Sequence, residues 1–512
     1  MSGSQAEFKY VDRPELLPVK PEQRTVGTVG YTLMILSMTI TTSIFFLGWL
    51  SQMLGLSLAQ TLVAATIGNL VVAAVMTLNG YVGVKYGIPF PIQLRYTFGY
   101  KGSIIPLLVR VIVSLFWYGV DGFIASWAIT EMAMLVAGVP IQVIMSEGLK
   151  YTPITFVLYL LFVWGVGMKK IKGIKILDSI SGPLLLIFFA WFVWYLTLQF
   201  PGKVVPMWGG KVGWLSSNFF LAVAVQTAWW GTIALNVSDI CRYNKSTKSL
   251  YVGHIVGLVL PQIFGTYLGF VATYLTGGTN SPIDIIAKYT PTAALGIFGL
   301  LFATLATGST NVTGDVPAAA NGIIRLVKTS WGKAVTVATF IAWLVIGPYS
   351  IVYWAKSLDV AYYLLDFNWY YSMWLGPIAG VMVVDYWVFR RGKIIIPELY
   401  NPNGIYKYTG GFSLVGLASF AAGILGEYVI SAIQGTLAWY FDFIPVPKIE
   451  LAWYYGFIIA AVVHLILGFA AKDYVLPELK YVVTQTVKET AGRVAQALNN
   501  AFKHLILILN WR

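Results

Sequence analysis

From residue 26 to residue 474 the chain alternates long apolar runs with short polar turns, and that alternation leaves it very few architectures. A hydrocarbon layer takes about 20 apolar residues to cross as a helix, or about 9–11 as a tilted strand. No water there satisfies backbone N–H and C=O groups, so crossing segments are helices or closed barrels. The runs are too long and too continuous for barrel strands. Twelve helical spans are expected, at 26–53, 56–78, 104–137, 153–170, 174–200, 214–240, 251–278, 293–324, 333–352, 355–390, 412–439 and 451–473. Only 11% of the residues are charged, against roughly 25% in soluble domains. The expected class is an all-α membrane protein. Residues 1–25 form an N-terminal tail, 26–474 one membrane domain and 475–512 a C-terminal tail, in which Glu478–Phe502 reads as an amphipathic surface helix.

The basic residues test this count. With a cytoplasmic N-terminus, 27 of the 34 Lys and Arg fall on the cytoplasmic side and 6 on the other, with Arg110 inside span 3. Such a bias follows the positive-inside rule, and one missed span would scramble it. Both termini are therefore expected in the cytoplasm, with the domain in the cell (plasma) membrane. The net charge of +13 is topological, and its scatter over seven segments argues against a nucleic-acid partner. One cysteine, Cys241, allows no internal disulfide, and His254, His464 and His504 lie far apart. There is no Walker lysine loop, nucleophile elbow or paired-histidine helix. An enzyme, an ATP-driven pump and a bound cofactor are not expected. Nor do repeated pore helices or rings of charge point to a channel.

Against this background Ala306–Asp315, ATGSTNVTGD, stands out. Hydrocarbon gives no reason for Ser309, Thr310, Asn311, Thr313 and Asp315 within seven residues of a span. Each unpaired polar group there costs several kcal/mol, and an ionisable one marks a functional site. Ala306, Ser309 and Thr310 fall at i, i+3 and i+4, on one helix face. A carbonyl and two hydroxyls so placed suit a small hard cation such as sodium; close packing by small residues is the bland alternative.

Ten of the spans pair as two sets of five, about 26–200 and 214–390, leaving 412–474 as extra. The first member of each set carries polar or glycine interruptions: Ser37, Thr39, Thr41, Thr42 and Ser43 in span 1, and Gln226, Thr227, Gly231 and Asn236 in span 6. Corresponding broken helices point to the binding site of a secondary transporter. Trp117 and Asp121, at i and i+4, face one way, and Trp230 adjoins Gly231. Two indoles from different spans can sandwich a flat ring, although most of the 19 tryptophans belong to the interfacial belt or the core.

Four regions match a known pattern in order: YGIPFPIQLRYTFGYKG (Tyr86–Gly102), SLFWYGVDGF (Ser114–Phe123), the span 8 motif, and GPIAGVMVVDYWVFRRGKI (Gly376–Ile394). From about Arg24 to about Tyr408 the chain resembles the nucleobase–cation symporter family, which includes cytosine, uracil, allantoin and hydantoin transporters. The resemblance implies twelve spans in a five-plus-five inverted repeat (LeuT-like) with two extra C-terminal helices, and transport by alternating access. It implies a sodium site at Ala306, Ser309 and Thr310 with the backbone carbonyls of Ser37 and Ile40. It also implies that Trp117 and Trp230 stack on the substrate. Thr41 matches a site glutamine, Trp229 a position where backbone faces the ligand, and Phe367 and Asn368 a thin outer gate.

Asp121 and Asp315 depart from the family, whose hydantoin transporters carry Gln and Asn at the matching positions. An ionised carboxylate only accepts hydrogen bonds, so the ligand must bring N–H donors or positive charge. An amino-pyrimidine, a purine edge or a cationic ring would fit. Protonated, either acid could donate, which keeps proton coupling open beside sodium. The expected function is cation-coupled import of a planar nitrogen heterocycle. Asp385, one turn before Arg390, reads as a local ion pair, and Arg95 and Lys101 as loop contacts.

Overall fold

The computed structural model describes residues 13–278, 281–357, 360–440, 444–471 and 474, and in the C-terminal tail 484, 486–488, 490–496 and 499–500; side chains are not described at 345–367, 369, 440, 444 and 446. The expected tail helix over Glu478–Phe502 thus lies partly outside the described residues; those described there are helical and exposed.

Among the described residues ten helices are long and apolar enough to cross a membrane, or eleven with the bent pair Thr28–Thr39 and Thr42–Met53. That pair is span 1. Spans 2 and 3 are Leu58–Tyr86 and Ile104–Val136. Span 4 is Thr152–Gly167 after a short helix, Ile141–Glu147. Span 5 combines Lys170–Asp178 and Ser181–Gln199. Spans 6, 7 and 8 are Ser217–Asn236, Lys248–Leu275 and Ala293–Val327. The helix Trp331–Ser357 stands where span 9 is expected, with Trp331–Leu344 as its described apolar part. Span 10 is Val360–Val384, and spans 11 and 12 are Leu414–Gln434 and Ala452–Ala470.

Span 1 breaks where Thr39-Ile40-Thr41-Thr42 crowds β-branched residues, which lose side-chain freedom in a helix. Ile40 (φ −80°, ψ 88°) and Thr41 (φ −121°, ψ 163°) leave helical geometry, and the halves meet at 51°. Span 6 corrects an expectation: its helix runs unbroken through Gly231 and stops only at Asn236. A Cβ on Gly231 would stand 3.0 Å from Trp453 Nε1, so this glycine admits span 12 instead of breaking its own helix. Span 11 also ends earlier than expected. Gly435 (φ +68°) caps it, and Leu437–Tyr440 pairs antiparallel with Ile444–Pro447.

Lipid tails are as apolar as leucine, so helices in a bilayer associate through close packing. The second half of span 1 meets span 7 backbone to backbone: a Cβ on Gly48 would lie 2.2 Å from Phe270 N, and one on Gly269 2.2 Å from Phe45 O. Apolar side chains such as Leu70, Leu161, Ile187, Val429 and Ile466 cover the outside. At the end of span 10, Asp385 pairs with Arg390 (3.1 Å) and accepts from Thr97 (3.0 Å) and Tyr474 (2.9 Å), all buried. The expected pair is present, and it also ties loop 2–3 and Tyr474 to span 10. Arg95 likewise serves the loops, donating to Leu399 O at 2.8 Å.

Candidate substrate and cation site

Span 8 carries its polar motif on a widened turn. Pro317 has no N–H to offer the carbonyl four residues back, and proline inside a helix disturbs the preceding turn. Asn311–Asp315 forms a π-helical turn in which Val316 N bonds Asn311 O. The buried turn sends its polar groups to different spans. Tyr159 of span 4 donates to Asn311 Oδ1 at 2.6 Å, and Asn311 Nδ2 donates to Asp315 Oδ2 at 3.1 Å. Arg110 of span 3 is fully buried and donates through Nε to Asn236 Oδ1 at 2.8 Å and Thr232 O at 3.1 Å. Its neighbouring acidic groups include Asp315 and Asp239.

Trp117 and Asp121 lie two and three turns along span 3 from Arg110. Asp121 is 2% exposed and neighbours Ser43 and the carboxyl of Asp315, and among the described residues its Oδ1 receives no hydrogen bond. Trp117 meets Trp229 edge to face at 4.8 Å and Tyr371 at 6.2 Å. The Tyr371 hydroxyl donates to Ala228 O at 3.0 Å and also lies beside buried Asn368 Oδ1. Spans 3, 6 and 10 therefore meet in one aromatic cluster next to two carboxyl groups.

The indole against Trp117 is Trp229, whereas the expected partner was Trp230. Successive helix residues point about 100° apart, so the two cannot face the same neighbour. Trp230 turns to span 7 and donates to Gln262 Oε1 at 2.8 Å, within a network continuing to Gln226 and Asn69. Thr41 ties the break of span 1 to span 8 through Thr307 Oγ1 at 3.3 Å. The side chain of Phe367 lies outside the described residues.

Of the expected cation ligands, Ala306 and Thr310 of span 8 lie against the break in span 1. Thr310 Oγ1 lies 2.8 Å from Met38 O and 3.3 Å from Ala306 O. Ile40 N bonds Leu36 O, whereas Thr41 N turns back to Thr39 O and leaves the regular ladder toward Ser37 O. Two details differ from the expected set. The span 1 carbonyl that meets a span 8 hydroxyl is that of Met38, and the hydroxyls of Ser309 and Ser37 are both engaged by Asp178 of span 5. Carbonyls, hydroxyls and one carboxylate form an all-oxygen donor set, which fits a small hard cation.

Four residues here escaped sequence reasoning. Tyr371 follows Asn368 by three positions, a helical spacing that flags it in hindsight. Arg110 was counted only as a charge within span 3. Tyr159 looks like any aromatic of an apolar span. Asp178 follows Lys169, Lys170, Lys172 and Lys175, so in the sequence nothing sets it apart from that basic stretch.

Residues 18–460 match the family described as permease for cytosine/purines, uracil, thiamine, allantoin. The chain is 27% identical over 444 residues to a purine-uracil permease of Arabidopsis thaliana, covering 80% of this chain and 70% of the relative. It is 25% identical over 455 residues to the allantoin permease of Bacillus subtilis, covering 84% and 88%. Among solved structures it is similar to Mhp1, a nucleobase-cation-symport-1 family transporter, in a closed conformation with bromovinylhydantoin bound (TM-score 0.75, 21% identity, 91% and 98% covered). It is also similar to the amino-acid-bound MhsT (TM-score 0.55, 13% identity, 86% and 98% covered). These likenesses give the fold: the helical architecture that this chain shares with Mhp1 and MhsT.

Proposed function

The chain belongs to the family of permeases for cytosine/purines, uracil, thiamine and allantoin, and from that premise we propose that it imports a planar, N–H-rich nitrogen heterocycle coupled to sodium. It is a multi-pass membrane transporter, not an enzyme. The import reading places the domain in the cell membrane with both termini cytoplasmic, in line with the distribution of Lys and Arg.

One observation carries the substrate class: Asp121 of span 3 and Asp315 of span 8 lie buried as neighbours, and the span of Asp121 also bears Trp117 with its partners Trp229 and Tyr371. The rings offer faces for stacking and the carboxylates offer acceptors, so the favoured ligand is flat with N–H donors or positive charge. Relatives named for purines, uracil and allantoin support a heterocycle. At 4.8 Å Trp117 and Trp229 touch. Admitting a ring between them means swinging one indole aside, the kind of gating step that alternating access uses.

The oxygen set of Ala306, Ser309, Thr310, Ser37 and Ile40 supports sodium as the coupling ion. Bound there, sodium supplies positive charge and the free energy of its gradient. A tenfold gradient is worth about 1.4 kcal/mol, and 100 mV adds about 2.3 kcal/mol per charge. Together they sustain roughly 500-fold accumulation of a neutral substrate. Coupling also makes each ligand tighten the other's binding, because linkage is reciprocal.

The test is calorimetric binding of amino-pyrimidines and purines to the purified protein in sodium and in potassium, at constant pH and ionic strength. Tighter binding in sodium is expected; equal affinities would remove sodium from the mechanism. Among the described residues Asp121 Oδ1 receives no hydrogen bond, which favours a second reading, in which a proton replaces sodium. Saturable uptake that persists in sodium-free buffer at fixed pH would select it.

A further inference from the structure

Asp178 lies inside span 5, is 1% exposed, and comes from an element that supplied none of the cation ligands expected from the sequence. Its carboxylate accepts from Ser309 Oγ at 2.5 Å and from Thr313 Oγ1 at 2.8 Å. Its main-chain carbonyl accepts from the hydroxyl of Ser37. One residue thus grips both helices that border the candidate cation site. The grip is built into the fold. A Cβ on Gly182 would lie 2.5 Å from Ser37 Cα, so only a glycine lets span 5 approach closely enough for Asp178 to reach both neighbours.

Charge is the second half of the argument. Among the described residues no Lys or Arg pairs with Asp178. An ionised carboxylate buried in a membrane span without a counter-charge is strongly disfavoured, and hydroxyl donors offset only part of that cost. A monovalent cation alongside would balance it. The hydroxyls fit such a partner: with their protons given to Asp178, Ser309 and Ser37 have only lone pairs left to offer. A carboxylate that orients the ligands of a metal in this way also raises their basicity.

We propose that Asp178 is the charged member of the coupling-cation site, orienting the Ser309 and Thr313 hydroxyls and supplying the negative charge against which a monovalent cation binds. The proposal rests on the sodium reading above. It adds that binding leaves the site electrically neutral, where oxygens of carbonyls and hydroxyls alone would leave it positive.

The experiment is a sodium titration of the thermal unfolding midpoint of the full-length protein, without substrate. Potassium is exchanged for sodium at constant ionic strength and pH, for wild type, Asp178→Asn and Thr313→Val. Wild type should show a saturable rise specific to sodium. Asp178→Asn should raise the half-saturating concentration about 10–100-fold. Thr313→Val, which frees one carboxylate oxygen, should raise it roughly 2–10-fold. A saturable wild-type response with both variants at the wild-type half-saturation overturns the role of Asp178 and leaves the sodium reading intact. No sodium response in wild type removes both. If Asp178→Asn does not fold, Thr313→Val decides alone, and an unshifted half-saturation counts against the proposal.

Discussion

Thr310 Oγ1 donates to the main-chain carbonyl of Met38 at 2.8 Å, joining span 8 to span 1 just before its break. A carbonyl freed by a broken helix and a hydroxyl on a packed neighbour give two oxygens on either side of a joint that alternating access must open and close. A cation held there favours the joined form.

Thr310→Val keeps the shape and removes the oxygen. It should raise the sodium requirement for substrate binding by about 10–100-fold, while stability changes by only about 1 kcal/mol, the net worth of one hydrogen bond. Substrate binding titrated with sodium measures the first and thermal unfolding the second. Wild-type sodium dependence in the variant would take Thr310 out of the cation site.

Trp229 and Trp230 make a paired test. Trp229→Ala should weaken ligand binding by about 1–3 kcal/mol, the usual worth of a ring stacked on a heterocyclic base. Trp230→Phe loses the bond to Gln262, should cost about 1 kcal/mol of stability, and should leave affinity unchanged. Calorimetry of one ligand on the three proteins decides. An equal loss in both variants would mean that Trp230 also reaches the substrate.

Asp315→Asn should alter ligand choice and retain folding. Asn311 Nδ2 now donates to Asp315 Oδ2, and an amide oxygen can accept the same bond. The amide adds a donor, so rings with exposed carbonyls should gain against rings with exposed N–H groups. A thermal-shift panel of heterocycles reads the order of preference; an unaltered order would show that the carboxylate does not face the ligand.

Asp385→Ala addresses a structural hub away from the substrate. It removes the carboxylate that pairs with buried Arg390, and breaking a buried pair costs about 3–5 kcal/mol. Tyr474→Phe removes one hydrogen bond from the same carboxylate, at about 1 kcal/mol. Thermal unfolding should rank the two in that order, with the heterocycle preference unchanged in Tyr474→Phe.

Much of this site was legible in one dimension, and the misses have physical causes. The break in span 1 was visible because four crowded residues, three with hydroxyls, disfavour a helix wherever they lie. Gly231 was misread because a glycine serves a bend and a close approach equally well, and only Trp453 tells them apart. Trp230 was preferred to Trp229 because adjacent residues differ in direction, not in composition. Asp178 was hidden by the lysines that precede it on the same short helix, Lys170–Asp178, whose basic stretch reads as a polar turn.

What the residues alone determined is that this chain crosses a membrane many times and holds polar chemistry at mid-span. Hydrocarbon penalises an unsatisfied dipole or charge whatever surrounds it, so hydroxyls and acids in an apolar run mean the same in any fold. Which indole meets Trp117, and which acid receives Ser309, was decided only in three dimensions. Those outcomes depend on the rotation of packed helices and on contacts such as Ser309 with Asp178, 131 residues apart, and no local pattern encodes either.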